Sequence, residues 1–431
     1  MNETQRLSDV CEFIIDCEHK TAPVVKHGIP SIRTTDLKNG RIVLESCNKV
    51  SEETYKEWTN RLEPQYEDII LSREAPVGEI GIIPFNAKLC LGQRTVLIRL
   101  KKDLIEPRFL LYLFLTDKMR HELISRSEGS VVPHLNMSDI RSFPLPDLPP
   151  LPTQRRIAHI LGSLDDKIEL NRQMNETLET MARAIFKSWF VDFDPVRAKA
   201  EGRQPAGMDA EMAALFPDGF EEVDGREVPR GWKVDSLSEV CDKIFSGGTP
   251  STANLEYWDG AIPWLSSGET RSHFIVHTDK KITQKGIENS STRFVRAGAT
   301  VIASAGQGHT RGQTSLLMLN CYINQSIVAL IANSKAISDS YLFFELSRRY
   351  QELRQISDSH SSRGSLTTTL LAQLDLVIPS MDVISIFDRI TKPMVKKIYN
   401  NTIEINILTQ IRDTLLPKLM NGEIRIETSN I

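Results

Sequence analysis

Two long stretches of the chain carry apolar residues at helical spacing. The apolar positions of the first stretch are Ile157, Ile160, Leu164, Ile168, Leu178, Met181 and Ile185. The second stretch carries Phe387, Ile390, Met394, Ile398, Leu408, Ile411 and Leu415. Such seams predict two long helices that pair as a coiled coil. Residues 153–190 contain no proline and predict a rod of roughly 55 Å, whereas Pro393 should kink or delay the second helix.

Shorter apolar segments, bounded by Gly, Pro or charged residues, precede each long helix. In the first copy they predict strands over 29–33, 68–71, 79–83 and 95–100, then a helix from about Pro107 through Leu123. In the second copy they predict strands over 300–303 and 325–331, and a helix that carries Tyr341, Leu342, Phe344, Leu346 and Ile356. Both halves of the chain therefore predict a mixed strand-and-helix domain followed by a long helix.

The two halves also repeat individual residues. The stretch Leu7-Ser8-Asp9-Val10-Cys11 returns as Leu237-Ser238-Glu239-Val240-Cys241, and Asn171 returns as Asn401. Ser72 matches Ser304 and Gln93 matches Gln325 with small slips. A tandem repeat of this kind predicts pseudo-two-fold symmetry, in which the two long helices run antiparallel. The predicted fold class is α+β: two mixed α/β domains separated by two long antiparallel coiled-coil helices. Such a molecule suits a long, regular partner, and duplex DNA is the obvious candidate.

These patterns divide the chain into five segments. Residues 1–150 and 236–380 are the globular domains, and residues 151–191 and 381–431 are the long helices. Residues 192–235 are rich in Pro, Gly and acidic side chains and predict an extended connector with one short helix.

Composition changes this picture little. The chain has 431 residues, is 40% hydrophobic, and has a net charge of −4, which argues mildly against DNA binding because phosphate neutralisation supplies affinity. The acid surplus falls mostly in 151–235, with 12 basic and 16 acidic side chains, so partner subunits would supply part of the electrostatic attraction. A polar start without an apolar run, and six cysteines without a Cys-x-x-Cys pair, favour a cytoplasmic protein with reduced thiols and no membrane segment.

Several motifs resemble the specificity subunits of type I restriction–modification systems. They are Leu151-Pro152-Thr153-Gln154-Arg155-Arg156-Ile157-Ala158, Leu164-Asp165-Asp166-Lys167-Ile168, Trp189-Phe190-Val191-Asp192-Phe193-Asp194-Pro195-Val196, Leu215-Phe216-Pro217 and Val228-Pro229-Arg230-Gly231-Trp232. The resemblance covers essentially the whole chain. The second helix departs from it at its start, where Ser385-Ile386-Phe387 replaces the Gln-Arg-Arg opening, and rejoins it at Leu415–Gly422.

The resemblance implies a non-catalytic protein. Each globular unit would be a target recognition domain that reads one half of an asymmetric bipartite site in double-stranded DNA, and the helix pair would set the distance between the halves. Two methyltransferase subunits would dock mainly on the helices, and restriction subunits would join the full complex. Residues at the ends of the first helix are the docking candidates: Arg155, Arg156, Trp189 and Phe190. For Trp189 and Phe190, packing against the neighbouring domain is the alternative.

The sequence lacks the common catalytic and cofactor motifs. It has no Gly-x-x-x-x-Gly-Lys-Ser/Thr loop, no His-Glu-x-x-His and no Asn/Asp-Pro-Pro-Tyr/Phe. The run Gly306-x-Gly308-x-x-x-Gly312 has the wrong spacing for a nucleotide loop and indicates a turn. Asp165-Asp166 and Asp192/Asp194 are better explained by helix solvation and capping than by metal binding. We therefore predict no cofactor and no metal. Two alternative functions are a nuclease or methyltransferase, and a coiled-coil scaffold that does not bind DNA.

Base recognition requires polar side chains on loops held by a rigid scaffold. Polar stretches follow the strand candidates at matching places in both copies, and side chains differ between them, as Arg73 against Ala305 and Arg94 against Ser326. The candidate DNA-binding residues of the first copy are Arg33, Thr35, Arg73, Gln93, Arg94, Arg126, Ser130 and His134. Those of the second copy are Ser266, Ser267, Arg271, Gln307, His309, Arg311, Gln325 and Arg363. Ordinary solvated loops are the alternative.

Overall fold

The structure is a computed structural model that describes residues 5–128, 133–306, 309–360 and 365–426. These residues form two compact units. Unit 1 comprises the described residues up to Glu169 together with those from Ile407 onwards, and unit 2 comprises Leu170–Asn406. Each long helix therefore contributes to both units.

Unit 1 is built on two sheets. The central sheet is antiparallel, with the strand order Cys11–Asp16, Thr95–Leu100, Ile69–Ser72 and Ile80–Ile82. The outer sheet has the order Asn48–Val50, Ile29–Ile32 and Cys90–Leu91, and its last pair is parallel. A hairpin joins Leu37–Lys38 to Arg41–Ile42. The helices of this domain are Glu52–Trp58, Pro107–Phe114, Asp117–Ser125 and Met137–Arg141, with short 3-10 turns at Leu7–Val10, Thr34–Asp36 and Leu44–Ser46.

Unit 2 repeats this plan. Its central sheet has the order Cys241–Ser246, Ile327–Ala332, Thr300–Ala303, Thr314–Leu317 and Phe274–Ile275. Its outer sheet has the order Lys280–Ile282, Trp258–Leu265, Cys321–Ile323 and Arg293–Val295, again with a parallel pair at Trp258–Leu265 and Cys321–Ile323. The helices are Leu237–Val240, Gln284–Glu288, Asp339–Arg348, Tyr350–His360 and Thr368–Ala372, and 3-10 turns lie at Leu255–Tyr257 and Ser267–Arg271. Strands Lys233–Ser236 and Asp375–Ile378 pair beside them.

The repeat extends to irregularities of the sheets. The first strand of each central sheet has a bulge, between Cys11 and Phe13 in unit 1 and between Cys241 and Lys243 in unit 2. A bulge inserts an extra residue at a defined point of a strand, and such bulges are characteristic of a given fold. The predicted internal duplication is therefore confirmed in the backbone.

The central strands Ile69–Ser72 and Thr300–Ala303 are mostly apolar because both of their faces are buried. Ile69 and Leu71 contact the layer of helices, whereas Ile70, between them, contacts the outer sheet. In unit 2, Ile302 and Val301 divide in the same way. Alternation of side chains along a strand thus fills two apolar layers. The polar residues at the ends of the central strands are buried as well: Ser72, Thr95 and Thr300 are each 0% exposed.

The two long helices are Leu151–Phe190 and Met381–Met420, each of 40 residues. They run antiparallel in each unit. In unit 1, Arg412 Nη1 donates to Asp165 Oδ1 at 2.7 Å, and in unit 2, Asn171 Nδ2 donates to Glu404 Oε2 at 2.8 Å. The expectation that Pro393 delays the second helix is wrong, because that helix begins well before it.

The connector is folded, which corrects the prediction of an extended segment. It contains helices Asp194–Ala200 and Ala210–Ala214 and a hairpin of Phe220–Val223 with Arg226–Pro229. Phe216 is buried, and its ring centroid lies 5.2 Å from that of Trp189. Apolar side chains scattered among proline, glycine and acidic residues thus attach the connector to the core of unit 2.

Among the described helices, none has the length and apolar character needed to cross a membrane.

Candidate nucleic-acid interface

Four of the predicted residues of unit 1 meet at one end of its central sheet. Strands Cys11–Asp16 and Ile69–Ser72 end there, and Thr95–Leu100 begins there, because the strands are antiparallel. The loops that leave these strands carry Arg73, Gln93 and Arg94, and the backbone N–H of Arg73 donates to the carbonyl of Arg94 at 2.8 Å. His134 joins them through a backbone bridge to Glu74. We call this end of the sheet the unit 1 loop surface.

Arg33 and Thr35 belong to the same surface. The turn Thr34–Asp36 follows an outer strand, and Thr34 Oγ1 donates to the carbonyl of Ala75 at 3.0 Å. Thr35 is exposed. Arg33 donates from Nη2 and Nε to the buried carboxylate of Asp36 at 3.0 and 3.1 Å, and this hydrogen bonding raises the pKa of the guanidinium.

Arg73 and Arg94 differ in accessibility. Arg73 is only 14% exposed; its Nη1 lies 2.6 Å from Asp16 Oδ2, and its Nε donates to the carbonyl of Leu135 at 2.8 Å. Arg94 is 54% exposed, and its Nε lies 3.1 Å from Glu74 Oε2. An exposed ion pair is weak and exchanges readily for a new partner. Of these two arginines, Arg94 is therefore the one accessible to a partner. Arg73 instead joins the segments that carry Asp16 and Leu135.

Arg126 contacts Phe143 and Glu122, which are not residues of this surface. Its guanidinium lies 5.6 Å from the ring centroid of Phe143, and its Nε donates to Glu122 at 2.9 Å. Ser130 lies outside the described residues.

Unit 2 presents a matching surface at the same end of its central sheet. The turn Ser267–Arg271 takes the place of Thr34–Asp36, and in both turns the third residue is an acid that caps the turn: Asp36 in unit 1 and Glu269 in unit 2. The side chains of Thr249 and Gln325 are hydrogen-bonded. Ser267 is partly buried, while Arg271 is exposed and forms no ion pair within the described part of the chain.

The backbone hydrogen bonds show that the sequence alignment of the two units is displaced by one residue at Ser304. The N–H of Ser304 donates to the carbonyl of Ser326 at 2.8 Å, and that of Leu366 donates to the carbonyl of Ser304 at 2.9 Å. In unit 1 the residue with these two contacts is Arg73, bonded to Arg94 and Leu135. Arg73 is thus equivalent to Ser304, which corrects the alignment of Ser72 with Ser304.

The remaining candidates of unit 2 differ in their exposure. His309 is exposed, and its carbonyl accepts from Tyr350 Oη at 2.8 Å. Arg311 is 9% exposed and pairs with Asp358, so its guanidinium is directed into the domain and not to solvent. Of the two, His309 is the more accessible, and DNA contact by Arg311 stays a prediction. Gln307 and Arg363 lie outside the described residues.

The docking candidates also divide. Arg155 is 60% exposed, with its Nε 3.9 Å from Glu106 Oε2, and Arg156 is partly buried. Trp189 and Phe190 are 7% and 3% exposed and belong to the apolar core of unit 2. Burial removes these two rings from contact with another subunit, so the alternative of packing within the chain describes them.

Sequence analysis missed the loop that follows the first strand of each unit. Gln93 Nε2 donates to the carbonyl of His19 at 3.4 Å, and Thr249 contacts Gln325, which is the equivalent glutamine. The loops were missed because Cys11–Asp16 and Cys241–Ser246 were not predicted as strands. Each is an edge strand in which a bulge interrupts the alternation of apolar and polar residues, so neither leaves a regular strand pattern. The repeat of Val10-Cys11 as Val240-Cys241 was the available signal, because it marks the start of this strand in both units.

Carboxylates considered as metal ligands have protein partners. Asp165 accepts from Tyr112 Oη and from Arg412, each at 2.7 Å, and Asp166 accepts from Arg108 at 2.8 and 3.0 Å. Across the described ranges, no three His, Cys, Asp or Glu side chains are grouped as metal ligands. These contacts assign the aspartates to packing of the first long helix against its domain.

Comparison with known proteins agrees with this architecture. The family model of the type I restriction modification DNA specificity domain matches residues 2–180 and 229–412. The specificity subunit of the HindI type I restriction enzyme of Haemophilus influenzae is 31% identical over 377 residues, which are 78% of this chain and 81% of that protein. The specificity subunit of the MjaIX enzyme of Methanocaldococcus jannaschii is 26% identical over 401 residues, covering 93% and 87% of the two chains.

A solved structure shows the same fold. The crystal structure of the type I restriction–modification S subunit from M. genitalium superposes with a TM-score of 0.64 over 97% of each chain, at 14% identity. The low identity confines this likeness to the backbone.

Proposed function

Because the chain belongs to the type I restriction–modification DNA specificity family, we propose that it is the DNA-reading component of such a complex. Unit 1 and unit 2 each read one half of a bipartite, asymmetric site in duplex DNA. The chain performs no chemistry itself; methyltransferase subunits, two per specificity subunit, modify the site, and restriction subunits complete the nuclease. A DNA partner of this kind favours the cytoplasm as the place of action.

One observation carries the proposal. Both units have the same loop surface at the same end of the same sheet, yet the side chains there differ. Arg73 stands where unit 2 has Ser304, and Arg94 stands where it has Ser326. Gln93 and Gln325 are shared. Arginine and serine present different donors to base edges, so equivalent positions with different side chains suit two unlike half-sites.

The long helices are proposed to set the spacing between the half-sites. Each is an unbroken helix of 40 residues that belongs in part to unit 1 and in part to unit 2. A buried asparagine repeats in their seam as Asn171 and Asn401, and Asn401 Nδ2 donates to Asn175 Oδ1 at 2.9 Å. Polar residues at seam positions specify the register of helix pairs.

Changing helix length should change the spacer of the DNA site. In the test, seven residues are inserted into each long helix, so that both insertions lie on the same side of Asn171 and Asn401 along the helix pair. Each insertion lengthens its helix by about 10.5 Å. This corresponds to about three base pairs at 3.4 Å each. Selection from random duplexes with the complex should return both half-sites unchanged and a longer spacer. An unaltered spacer, from a complex that still selects both half-sites, would contradict the spacing proposal.

Arg94→Ala should weaken recognition at one half-site only. Arg94 is exposed, and loss of a bidentate contact to a base costs about 1–3 kcal/mol, or roughly 5- to 150-fold in binding to that base pair. The measurement is selection from random duplexes by the complex with its methyltransferase subunits. The preference of the other half-site should be retained, and Arg126→Ala serves as the control because Arg126 contacts Glu122 and Phe143 instead. Equal weakening on every sequence would reassign Arg94 to phosphate contact.

A further inference from the structure

Most predicted cations of the unit 1 loop surface are already neutralised within the protein. Arg33 pairs with Asp36, Arg73 with Asp16, and Arg94 with Glu74. Every such pair has no net charge, so the surface needs unpaired cations to attract the phosphates of DNA. With a net charge of −4 on the whole chain, the position of each unpaired cation matters.

The loop that follows the first strand of unit 1 supplies unpaired cations. It comprises residues 18–28. Its two lysines, Lys20 and Lys26, are exposed and form no ion pair within the described residues, whereas His19 Nε2 lies 3.3 Å from Asp16 Oδ2. The one acidic side chain of the loop, Glu18, lies with its carboxylate 3.5 Å from Arg61. The loop is therefore a basic segment whose charge is available to a partner.

The root of this loop is fixed against the candidate base-reading residues. The N–H of Cys17 donates to the carbonyl of Thr95 at 3.1 Å, and the N–H of Arg94 donates to Cys17 Sγ at 3.1 Å. The carbonyl of His19, next to Lys20, accepts from Gln93 Nε2. Lys20 therefore follows directly the residue whose carbonyl contacts Gln93, and it lies at the unit 1 loop surface.

A related contact is present in unit 2, where the loop is joined to the equivalent glutamine through other atoms and has a different composition. The N–H of Gly247 donates to the carbonyl of Asn324 at 3.2 Å, and Thr249 contacts the side chain of Gln325. This loop continues as Pro250-Ser251-Thr252-Ala253-Asn254 and has no basic residue in that stretch. A loop held in both units at the equivalent glutamine, but basic in one unit only, indicates a position that belongs to the interface and varies with the half-site.

From these contacts we infer that the loop of residues 18–28 is a further DNA-binding element of unit 1, in which Lys20 binds a backbone phosphate beside the bases that Gln93 and Arg94 face. This inference rests on the proposed DNA-reading function. Lysine is a point charge on a flexible stem, which suits phosphate contact and carries no sequence information. Lys20 would position the DNA, and the neighbouring residues would read it.

The test is the salt dependence of DNA binding by the complex of the full chain with its methyltransferase subunits. Each phosphate contact contributes about 0.9 to the slope of log K against log salt. Lys20→Ala should reduce this slope by about 0.9 and weaken binding equally on the selected site and on unrelated duplexes. Lys20→Arg should retain the wild-type slope because it keeps the charge.

Lys102→Ala is the matched control. Lys102 follows the far end of strand Thr95–Leu100, about 20 Å along the strand from the loop surface, and it pairs with Glu67. Removing this charge should leave the slope unchanged. A Lys20→Ala complex with the wild-type slope, or with an altered base preference in place of a uniform loss, would overturn the inference. A wild-type complex without any sequence preference would instead overturn the proposed function.

Discussion

Trp189→Ala is expected to destabilise unit 2 by about 3–5 kcal/mol, the cost of deleting a buried aromatic side chain. The indole is 7% exposed and lies edge-on to Phe190, Phe216 and Phe387, at centroid distances of 6.1, 5.2 and 6.3 Å. Its removal opens a cavity where the first long helix, the connector and the second long helix meet. Thermal unfolding of the isolated chain, followed by calorimetry, should show the transition of unit 2 shifted to lower temperature.

The control for this prediction is Met181→Ala on the same helix. Met181 is 47% exposed, and surface substitutions of this kind change stability by about 0.5 kcal/mol or less. A Trp189→Ala chain that unfolds like the wild type, but binds methyltransferase subunits more weakly, would contradict the core assignment. It would restore the docking role that the sequence first suggested for Trp189.

The elements that were predictable from sequence are those with strong periodicity. The first long helix was expected over 153–190 and spans Leu151–Phe190. The strand expected over 95–100 spans Thr95–Leu100. The helix expected from about Pro107 through Leu123 begins at Pro107 but is divided into Pro107–Phe114 and Asp117–Ser125. A long apolar seam and a strand buried on both faces leave a clear pattern because every turn or face meets the same environment.

Elements whose environment changes along their length were not predictable. Strand Cys11–Asp16 is at an edge and alternates buried with charged positions irregularly, because a bulge interrupts its register. The connector has no period, and its fold depends on single side chains such as Phe216 that enter a distant core. Neither case leaves a local signal, since the stabilising contacts are long-range.

The candidate site shows the same limit. The sequence predicted the loops at strand ends, because polar residues that follow a buried strand lie at the edge of the sheet. It could not separate Arg94 from Arg73 or Arg311, since the exposure of an arginine depends on the carboxylate that it meets in space. Asp16 is 57 residues from Arg73, and Asp358 is 47 residues from Arg311.

The buried asparagines of the helix seam show what a repeat adds to such an analysis. Asn171 and Asn401 stand out in sequence only because they recur at the same offset. In the structure they are 0% and 1% exposed, and their amides donate to Glu404 and Asn175. A polar side chain kept inside an apolar seam lowers stability but excludes shifted pairings of the two helices. The repeat therefore marks the residues that fix the helix register.

Arg73→Ala is expected to act on stability first and on DNA recognition only as a consequence. The guanidinium is 14% exposed and the paired carboxylate of Asp16 is 18% exposed, so the substitution leaves a largely buried carboxylate whose remaining ion-pair contact is with His19, at 3.3 Å. Breaking such a pair costs about 3 kcal/mol, whereas breaking the exposed pair of Arg94 with Glu74 costs less than about 1 kcal/mol. Unfolding of the isolated chain should therefore separate Arg73→Ala from Arg94→Ala.

The double variant Asp16→Ala/Arg73→Ala decides whether the pair itself is responsible. With both charges absent, no unpaired carboxylate remains, and the loss of stability should be smaller than the sum of the two single losses. Strictly additive losses would mean that Arg73 acts through its hydrogen bond to Leu135 alone. A stable Arg73→Ala chain that has lost one half-site would return Arg73 to the set of base-reading residues. The expected result confines base reading in unit 1 to side chains that reach solvent, among which Gln93 and Arg94 lie next to each other at the start of a central strand.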